Sequence, residues 1–191
     1  RPDMKVIAIM GDGDALAIGG NHFIHSACRN IGITSIVVNN EIYGMTGGQY
    51  SPTTPVGRLA TTAPYGNIEP PMSACDLAIA AGAVFVARGT VYHSVELDRL
   101  IEQAISKEGF SVVEAVSYCH TGYGRLNKLG TAVDMMRALK DTSLTLSAAQ
   151  KLSPEERAGK IVRGVLHNIE KPEYTQLYAQ VIERAQAAVK K

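Results

Sequence analysis

The chain has 191 residues, 46% of them hydrophobic, and a formal net charge of +1. This length is typical of one domain, and the hydrophobic fraction is sufficient for a packed core. The balanced charge gives no reason to expect nucleic acid or an anionic membrane as a partner, and no apolar run approaches the ~18 residues of a membrane span.

Two apolar strands near the start of the chain end in polar motifs. The first is predicted over residues 5–10 and is followed by Gly11-Asp12-Gly13, and the second is predicted over 34–38 and is followed by Asn39-Asn40. A helical stretch over 15–30 separates them. The crossover is expected to be right-handed, so the two strands are predicted to be parallel.

The same alternation of strands and helices continues along the chain. A long loop over 40–70 precedes a helix over 72–82, a strand over 84–87, a helix that begins near Ser94 and a strand over 110–116. Structureless loops of this length are typical of functional sites. The alternation predicts a doubly wound α/β fold with a mainly parallel sheet, whose ligands lie at the carboxyl ends of the strands.

Beyond residue 130 the pattern changes, so we divide the chain into an α/β domain over 1–130 and a C-terminal helical extension over 131–191. Ser153 begins a capping box with proline at the first helical position. An apolar stripe from Tyr174 to Val189 predicts an amphipathic helix. Packing of this helix on its own domain and docking on a partner subunit are equally open.

The two strand-end motifs suggest a metal-bridged phosphate site. Glycines at a strand end let backbone N–H groups approach a phosphate, whereas the carboxylate of Asp12 would repel it unless a cation such as Mg²⁺ lies between them. Asn40 offers a second oxygen ligand. Each motif alone is also common as a turn or loop. The dinucleotide fingerprint G-x-G-x-x-G is not met, because Leu16 stands where its third glycine is required, and this disfavours a dinucleotide site.

The residues that follow the second strand narrow this interpretation. The stretch Asn39-Asn40-Glu41-Ile42-Tyr43-Gly44-Met45-Thr46-Gly47-Gly48-Gln49-Tyr50-Ser51-Pro52-Thr53 resembles the β subunits of 2-oxoacid:ferredoxin oxidoreductases, and within them it is most similar to 2-oxoglutarate synthase β subunits. The resemblance extends from Met4 to about Tyr178. It implies the thiamine diphosphate-binding fold.

The resemblance also implies the ligands of the cofactor. Mg²⁺ would be held by the Asp12 carboxylate, the Asn40 amide oxygen and the Ile42 carbonyl. Thiamine diphosphate would be lined by residues of both motifs and of the following turn: Gly11, Asp12, Gly13, Asp14, Asn40, Ile42, Gly44, Met45 and Thr46. Met45 could equally fill the core. The hydroxyls of the Ser51–Pro55 stretch could bind phosphate or a carboxylate, or the stretch could equally be a rigid turn.

The three cysteines, Cys28, Cys75 and Cys119, lack C-x-x-C spacing, so they predict neither a disulfide scaffold nor a complete metal site. By resemblance, Cys119 matches the fourth ligand of a 4Fe–4S cluster whose other ligands would lie in an N-terminal segment upstream of Arg1. Cys28 and Cys75 lie on apolar faces of predicted helices and are interpreted as core thiols. Unpaired thiols favour a cytoplasmic protein.

The resemblance implies oxidative decarboxylation of 2-oxoglutarate, or a related 2-oxoacid, to acyl-CoA and CO₂, with single electrons passing through the cluster to ferredoxin. It implies an α subunit, and in some cases γ and δ subunits, as partners, with coenzyme A and the 2-oxoacid as substrates. No catalytic residue is assigned, because the glutamate that assists thiamine comes from the partner subunit in this family.

Three alternatives remain open at this stage. The chain could belong to a non-oxidative thiamine-dependent decarboxylase, to a non-catalytic module that binds magnesium and phosphate, or to a structural partner subunit. A metal pair formed by His22 and His25 is conceivable because they lie three residues apart on one predicted helix. A surface or core role for both histidines is favoured, since no third ligand is evident.

Overall fold

A computed structural model describes residue 1 and residues 4–189. Residues 2–3 of the predicted α/β domain and 190–191 of the predicted C-terminal extension lie outside the described residues. The strands in the described part of the chain are β1 (Val6–Gly11), β2 (Ile33–Asn39), β3 (Ile42–Tyr43), β4 (Gln49–Tyr50), β5 (Phe85–Thr90), β6 (Ser111–Val116), β7 (Ser143–Thr145) and β8 (Ile161–Asn168). The α-helices are α1 (Gly20–Arg29), α2 (Ala74–Ala81), α3 (Ser94–Ser106), α4 (Ala132–Thr142), α5 (Leu146–Ala149), α6 (Pro154–Arg157) and α7 (Tyr174–Val189).

The centre of the fold is a six-stranded sheet in the order β1-β2-β6-β5-β8-β7. Strands β1, β2, β6 and β5 are parallel to one another. Strand β8 is antiparallel to β5, and β7 is parallel to β8. The predicted, mainly parallel sheet is therefore confirmed. Strands β3 and β4 form a separate antiparallel ribbon in the long loop.

Helices cover both faces of the sheet because successive residues of a buried strand point to opposite sides. Val112 of β6 packs in a cluster with Phe23 of α1 and with residues of α2. The next residue, Val113, packs with Leu100 of α3 in a second cluster. Burial of each such large apolar side chain contributes roughly 1.5–3 kcal/mol, and the doubly wound arrangement is confirmed.

The first crossover differs from the single helix that the periodicity predicts. A π-helical turn, Asp14–Ile18, precedes α1, and the two meet at Gly19. The Gly19 N–H donates to the Asp14 carbonyl at 2.8 Å. A Cβ on Gly19 would lie 2.2 Å from that same oxygen, so the tight turn requires glycine there.

The prediction of a helical C-terminal extension is incomplete, since this segment also contributes two strands. Strand β8 adds to the sheet beside β5, with a register shift between Val86 and Ala87. Its apolar run is interrupted by Arg163 and Gly164 and is only half-buried, so neither alternation nor a continuous apolar stretch marks it as a strand. The capping box at Ser153 is confirmed.

Helix α7 is confirmed, and its apolar stripe is exposed. Leu177, Tyr178, Val181 and Ile182 each keep between 46% and 55% of their surface accessible. Its start is anchored by Glu173, which accepts the Gly32 N–H at 2.9 Å. Docking of this stripe on a partner stays a prediction. No helix in the described residues is long and apolar enough to cross a membrane.

Candidate functional site

The two strand-end motifs lie side by side at one edge of the sheet. Strands β1 and β2 pair in parallel with Gly11 opposite Val38, so the residues just beyond them emerge together. The Asn40 N–H lies 3.5 Å from Asp12 Oδ1. The sequence prediction that Asp12 and Asn40 are brought together by neighbouring strands is confirmed.

The Asp12 carboxylate is almost completely buried, with 2% of its residue surface accessible. Its Oδ2 atom accepts two hydroxyl hydrogen bonds, from Ser51 at 2.5 Å and from Thr53 at 2.6 Å. Two hydroxyls of the Ser51–Pro55 stretch therefore bind a carboxylate of the chain itself, and binding of a ligand by this stretch stays a prediction. Because Oδ2 has two strong donors, Oδ1 is the atom left available for another ligand.

A tight turn joins Asn40 to Ile42. Glu41 between them adopts a left-handed conformation with φ of 63°, which is uncommon for a non-glycine residue. The Asn40 amide oxygen accepts the Ile42 N–H at 3.2 Å, and the Thr54 hydroxyl donates to the Glu41 carbonyl at 2.6 Å. These hydrogen bonds stabilise the turn that carries two of the three predicted Mg²⁺ ligands, Asn40 and Ile42.

The glycine motif after β1 is closely packed. A Cβ on Gly13 would lie 2.1 Å from Cε1 of the Tyr43 ring, so the ring leaves no room for a side chain. The Asp14 carboxylate accepts the Gly11 N–H at 3.2 Å. Burial raises the pKa of Tyr43, and the negative charges of Asp12 and Asp14 raise it further.

The predicted cofactor residues Gly44, Met45 and Thr46 lie at the exposed tip of the β3–β4 ribbon. Thr46 and Gln49 close this tip, since the Thr46 hydroxyl donates to the Gln49 side-chain oxygen at 2.8 Å. Met45 is fully exposed, so its alternative interpretation as a core residue is wrong. The structure does not bring Met45 against Asp12.

Cys119 lies next to this ribbon. A Cβ on Gly44 would be 3.3 Å from the Cys119 sulfur, which places the thiol against the backbone of the predicted thiamine turn. Burial raises the pKa of the thiol, but hydrogen bonds from the Thr121 hydroxyl and from the N–H groups of Tyr123, Gly122 and Thr121 outweigh it and lower the pKa below its ordinary value. Such a site favours the thiolate, the form that binds metal.

The other two cysteines have contrasting environments. Cys75 is buried, as the sequence predicts, whereas Cys28 is exposed and its interpretation as a core thiol is wrong. Cys28 directly follows Ala27 of α1, which is fully buried in the core, and its own side chain lies on an exposed side of the helix. Among the described residues no group of three or more His, Cys, Asp or Glu side chains could hold a metal, so a metal pair of His22 and His25 gains no third ligand of these types.

A buried ion pair near the site was missed from the sequence. Arg88 of β5 and Glu114 of β6 are register partners, and Arg88 Nε donates to Glu114 Oε2 at 2.6 Å. The Asn39 amide donates to Glu114 Oε1 at 2.8 Å. The sequence feature that could have revealed this pair is the single charged residue in each of two strands without other charges. Charged residues are rarely buried unless they are paired.

Glu41, within the Asn40–Ile42 turn, is a further ionisable group at the site. Burial raises the pKa of Glu41, while a hydrogen bond with Tyr123 and the charge of Arg58 act in the opposite direction. Tyr123 follows Cys119 in the π-helical turn His120–Gly124 and is 4% exposed. Glu41 therefore connects the turn after β2 with the π-helical turn that follows Cys119.

Comparison with known proteins agrees with this geometry. Residues 1–115 match the family model of the thiamine pyrophosphate enzyme C-terminal TPP binding domain. The chain is 53% identical over 184 residues to the 2-oxoglutarate synthase subunit KorB of Methanocaldococcus jannaschii, covering 96% of this chain and 68% of that protein. It is 45% identical over 186 residues to KorB of Methanothermobacter marburgensis, covering 97% and 65%.

A solved structure shows the same fold. The 2-oxoglutarate:ferredoxin oxidoreductase from Magnetococcus marinus, with 2-oxoglutarate, coenzyme A and succinyl-CoA bound, superposes with a TM-score of 0.81 at 31% identity, covering 97% of this chain and 64% of that one. The chain thus spans about two thirds of the length of these relatives. It belongs to the thiamine pyrophosphate enzymes, within the family of 2-oxoglutarate synthase KorB and 2-oxoacid:ferredoxin oxidoreductase β subunits.

Proposed function

We propose that this chain is the thiamine diphosphate-binding part of a 2-oxoacid:ferredoxin oxidoreductase. The enzyme would convert a 2-oxoacid and coenzyme A into acyl-CoA and CO₂ and pass single electrons to ferredoxin. The observation that carries the proposal is the buried carboxylate of Asp12 beside Asn40 at the carboxyl ends of two parallel strands. The relatives named above favour 2-oxoglutarate as the 2-oxoacid.

The residues at this edge fit Mg²⁺. Asp12, Asn40 and Ile42 offer a carboxylate, an amide oxygen and a backbone carbonyl, the oxygen ligands that this ion prefers. None of the ion pairs found in the described part of the chain includes Asp12. A buried carboxylate is costly without a compensating positive charge, and a divalent cation held at Oδ1 would supply it.

The residues around this site fit thiamine diphosphate. When bound, the cofactor supplies the carbanion chemistry that removes CO₂ from the 2-oxoacid. The glycines and the acidic residues after β1 would hold the diphosphate through the cation, and the exposed tip of the β3–β4 ribbon would line the thiamine. The proposed lining residues are Gly11, Asp12, Gly13, Asp14, Asn40, Ile42, Gly44, Met45 and Thr46.

Cys119 is proposed as one ligand of a 4Fe–4S cluster, with the other ligands outside this chain. Two observations support it: the surrounding N–H groups lower the pKa of the thiol, and its sulfur lies against Gly44 of the proposed thiamine turn. A cluster at this position would be adjacent to the site where the electrons are released. We infer that these electrons pass from the cluster to ferredoxin.

The proposed partners are the α subunit of the same enzyme, with γ and δ subunits in some assemblies. The half-exposed apolar stripe of α7 supports a subunit contact. The free thiols of the described residues support a cytoplasmic location. The cofactor, coenzyme A and the 2-oxoacid complete the set of proposed ligands.

The cofactor site is tested by thiamine diphosphate titration of the assembled enzyme at fixed Mg²⁺. Asp12→Ala is expected to weaken cofactor binding by more than roughly 100-fold, because it removes a direct ligand and changes in residues that only support metal ligands already cost about 10–100-fold. Asp98→Ala, at an exposed position of α3, is the control and should bind normally. Equal binding by both variants and the wild type would refute the site.

The reaction is tested by following ferredoxin reduction with 2-oxoglutarate or pyruvate as substrate. Reduction that requires both the 2-oxoacid and coenzyme A is expected, together with iron and acid-labile sulfide in the full-length subunit. Release of CO₂ without coenzyme A and without iron would instead identify a non-oxidative decarboxylase.

A further inference from the structure

A continuous chain of buried polar groups extends from the proposed magnesium site to the middle of the sheet. Asp12, Asn39, Thr53 and Glu114 are each no more than 9% exposed. Thr53 donates to Asp12 Oδ2 at 2.6 Å and also lies 2.9 Å from Asn39 Oδ1. The Asn39 amide then donates to Glu114 at 2.8 Å.

The two oxygens of Glu114 have different partners. Oε1 accepts the Asn39 amide, and Oε2 accepts Arg88 Nε at 2.6 Å and the Cys75 thiol at 3.2 Å. Each oxygen therefore faces a donor. A carboxylate can accept at both oxygens, whereas an amide of the same shape has only one acceptor oxygen.

This arrangement determines which way the Asn39 amide points. Because Glu114 accepts from the Asn39 nitrogen, the Asn39 oxygen must face the other way, towards Thr53 and the Glu41 N–H, which donates at 3.1 Å. Glu41 is the left-handed residue between the proposed ligands Asn40 and Ile42. The Asn39 side-chain oxygen thus stabilises the Asn40–Ile42 turn and also contacts the Thr53 hydroxyl, which donates to Asp12.

We propose that Glu114 is a positioning residue for the magnesium site. It fixes the orientation of the Asn39 amide, and Asn39 in turn contacts the Asn40–Ile42 turn and the Thr53 hydroxyl that donates to Asp12. Arg88 is the ion-pair partner of Glu114 within the sheet. The proposal rests on the proposed function, since it adds a supporting layer to the same site. Glu114 itself contacts neither the cation nor the substrate.

Glu114→Gln tests this directly in the assembled enzyme. The glutamine has one acceptor oxygen, and the charged Arg88, as the stronger donor, is expected to take it. The glutamine NH₂ then faces the Asn39 nitrogen, so Asn39 loses its acceptor and is expected to invert. The Mg²⁺ concentration that half-saturates thiamine diphosphate binding is expected to rise about 10-fold, in the range known for residues that support metal ligands. At saturating Mg²⁺ and cofactor, kcat should return to within about 2-fold of wild type.

Thr34→Val is the matched control. Thr34 is a buried threonine of β2 whose hydroxyl donates to the Ala104 carbonyl at 3.2 Å, away from the site. The substitution removes one buried hydroxyl and should leave the half-saturating Mg²⁺ concentration for thiamine diphosphate binding unchanged. An Mg²⁺ dependence in Glu114→Gln equal to that of Thr34→Val, with Asp12→Ala still impaired, would overturn the positioning role and leave the proposed function intact. A normal Asp12→Ala would reject both.

A second pair of variants keeps the test valid if Glu114→Gln does not fold. Thr53→Val should raise the half-saturating Mg²⁺ concentration about 10-fold, and Thr53→Ser, which retains the hydroxyl, should restore it to within about 3-fold. An unchanged value in Thr53→Val would overturn the proposal. If Glu114→Gln does fold, the double variant Glu114→Gln/Thr53→Val should show less than the product of the two single effects, because contacting residues of one network are not additive. A full product would show that Glu114 does not act through Asn39 and Thr53.

Discussion

Gly13→Ala offers a sharp test of the packing around the cofactor motif. Gly13 has φ of −65° and ψ of −40°, so alanine fits the backbone and should stabilise the fold by about 0.4–1 kcal/mol through the unfolded chain. Its Cβ, however, would lie 2.1 Å from Tyr43 Cε1 and 2.3 Å from Cζ. The ring would have to retreat by roughly 1.4 Å to reach ordinary carbon–carbon contact near ~3.5 Å.

Overpacking of this kind typically costs about 1–3 kcal/mol, which exceeds the backbone gain. We therefore expect Gly13→Ala to lose about 1–2 kcal/mol and to lower the thermal midpoint of the full-length subunit by about 2–8 °C. Gly20→Ala is the control, because an added Cβ there meets nothing within 4 Å. It should be neutral or stabilising.

The cause is isolated by changing Tyr43. In a Tyr43→Ala background the ring is gone, so Gly13→Ala should become neutral or stabilising. Tyr43→Phe retains both clashing carbons and should give no rescue. An equal loss from Gly13→Ala in the Tyr43→Ala and wild-type backgrounds would refute the contact as the reason for glycine at this position.

Three further predictions concern the cluster ligand, the buried ion pair and the start of α7. Cys119→Ser should lower the iron and acid-labile sulfide content of the full-length subunit, whereas the exposed Cys28→Ser should not; equal iron in both would contradict the ligand assignment. Arg88→Met leaves the Glu114 carboxylate buried without its counter-charge and should cost about 3 kcal/mol in urea unfolding; a loss under 1 kcal/mol would contradict it. Burial raises the pKa of Glu173, but hydrogen bonds from the Thr175 hydroxyl and from the Gly32 N–H and neighbouring N–H groups lower it below 4.5 overall. Glu173→Gln should therefore lose stability at pH 7, and its difference from wild type should shrink as pH falls from about 4.5 through the lowered folded pKa; a difference independent of pH would contradict this.

Much of the central sheet was predictable because its physical signals are local. β1, β2 and β6 each end where a mainly apolar run meets polar residues. Such runs are typical of strands in parallel sheets, although β1, at the edge of the sheet, is largely exposed. Strand β8 escaped prediction because Arg163 and Gly164 interrupt its pattern. Its position beside β5 depends on pairing with a distant strand, which no local pattern records.

The cofactor motif was likewise visible in the sequence, since Asp12 and Asn40 each follow a predicted parallel strand. The sequence alone therefore determined the strand ends and indicated the family, and it led to the prediction of the oxygen ligands. The tertiary structure decided which groups support them: Thr53 reaches Asp12 from 41 positions away along the chain, and Glu114 reaches Asn39 from 75. Hydrogen bonds between such distant residues depend on where the folded backbone brings them together, and composition and periodicity carry no information about that.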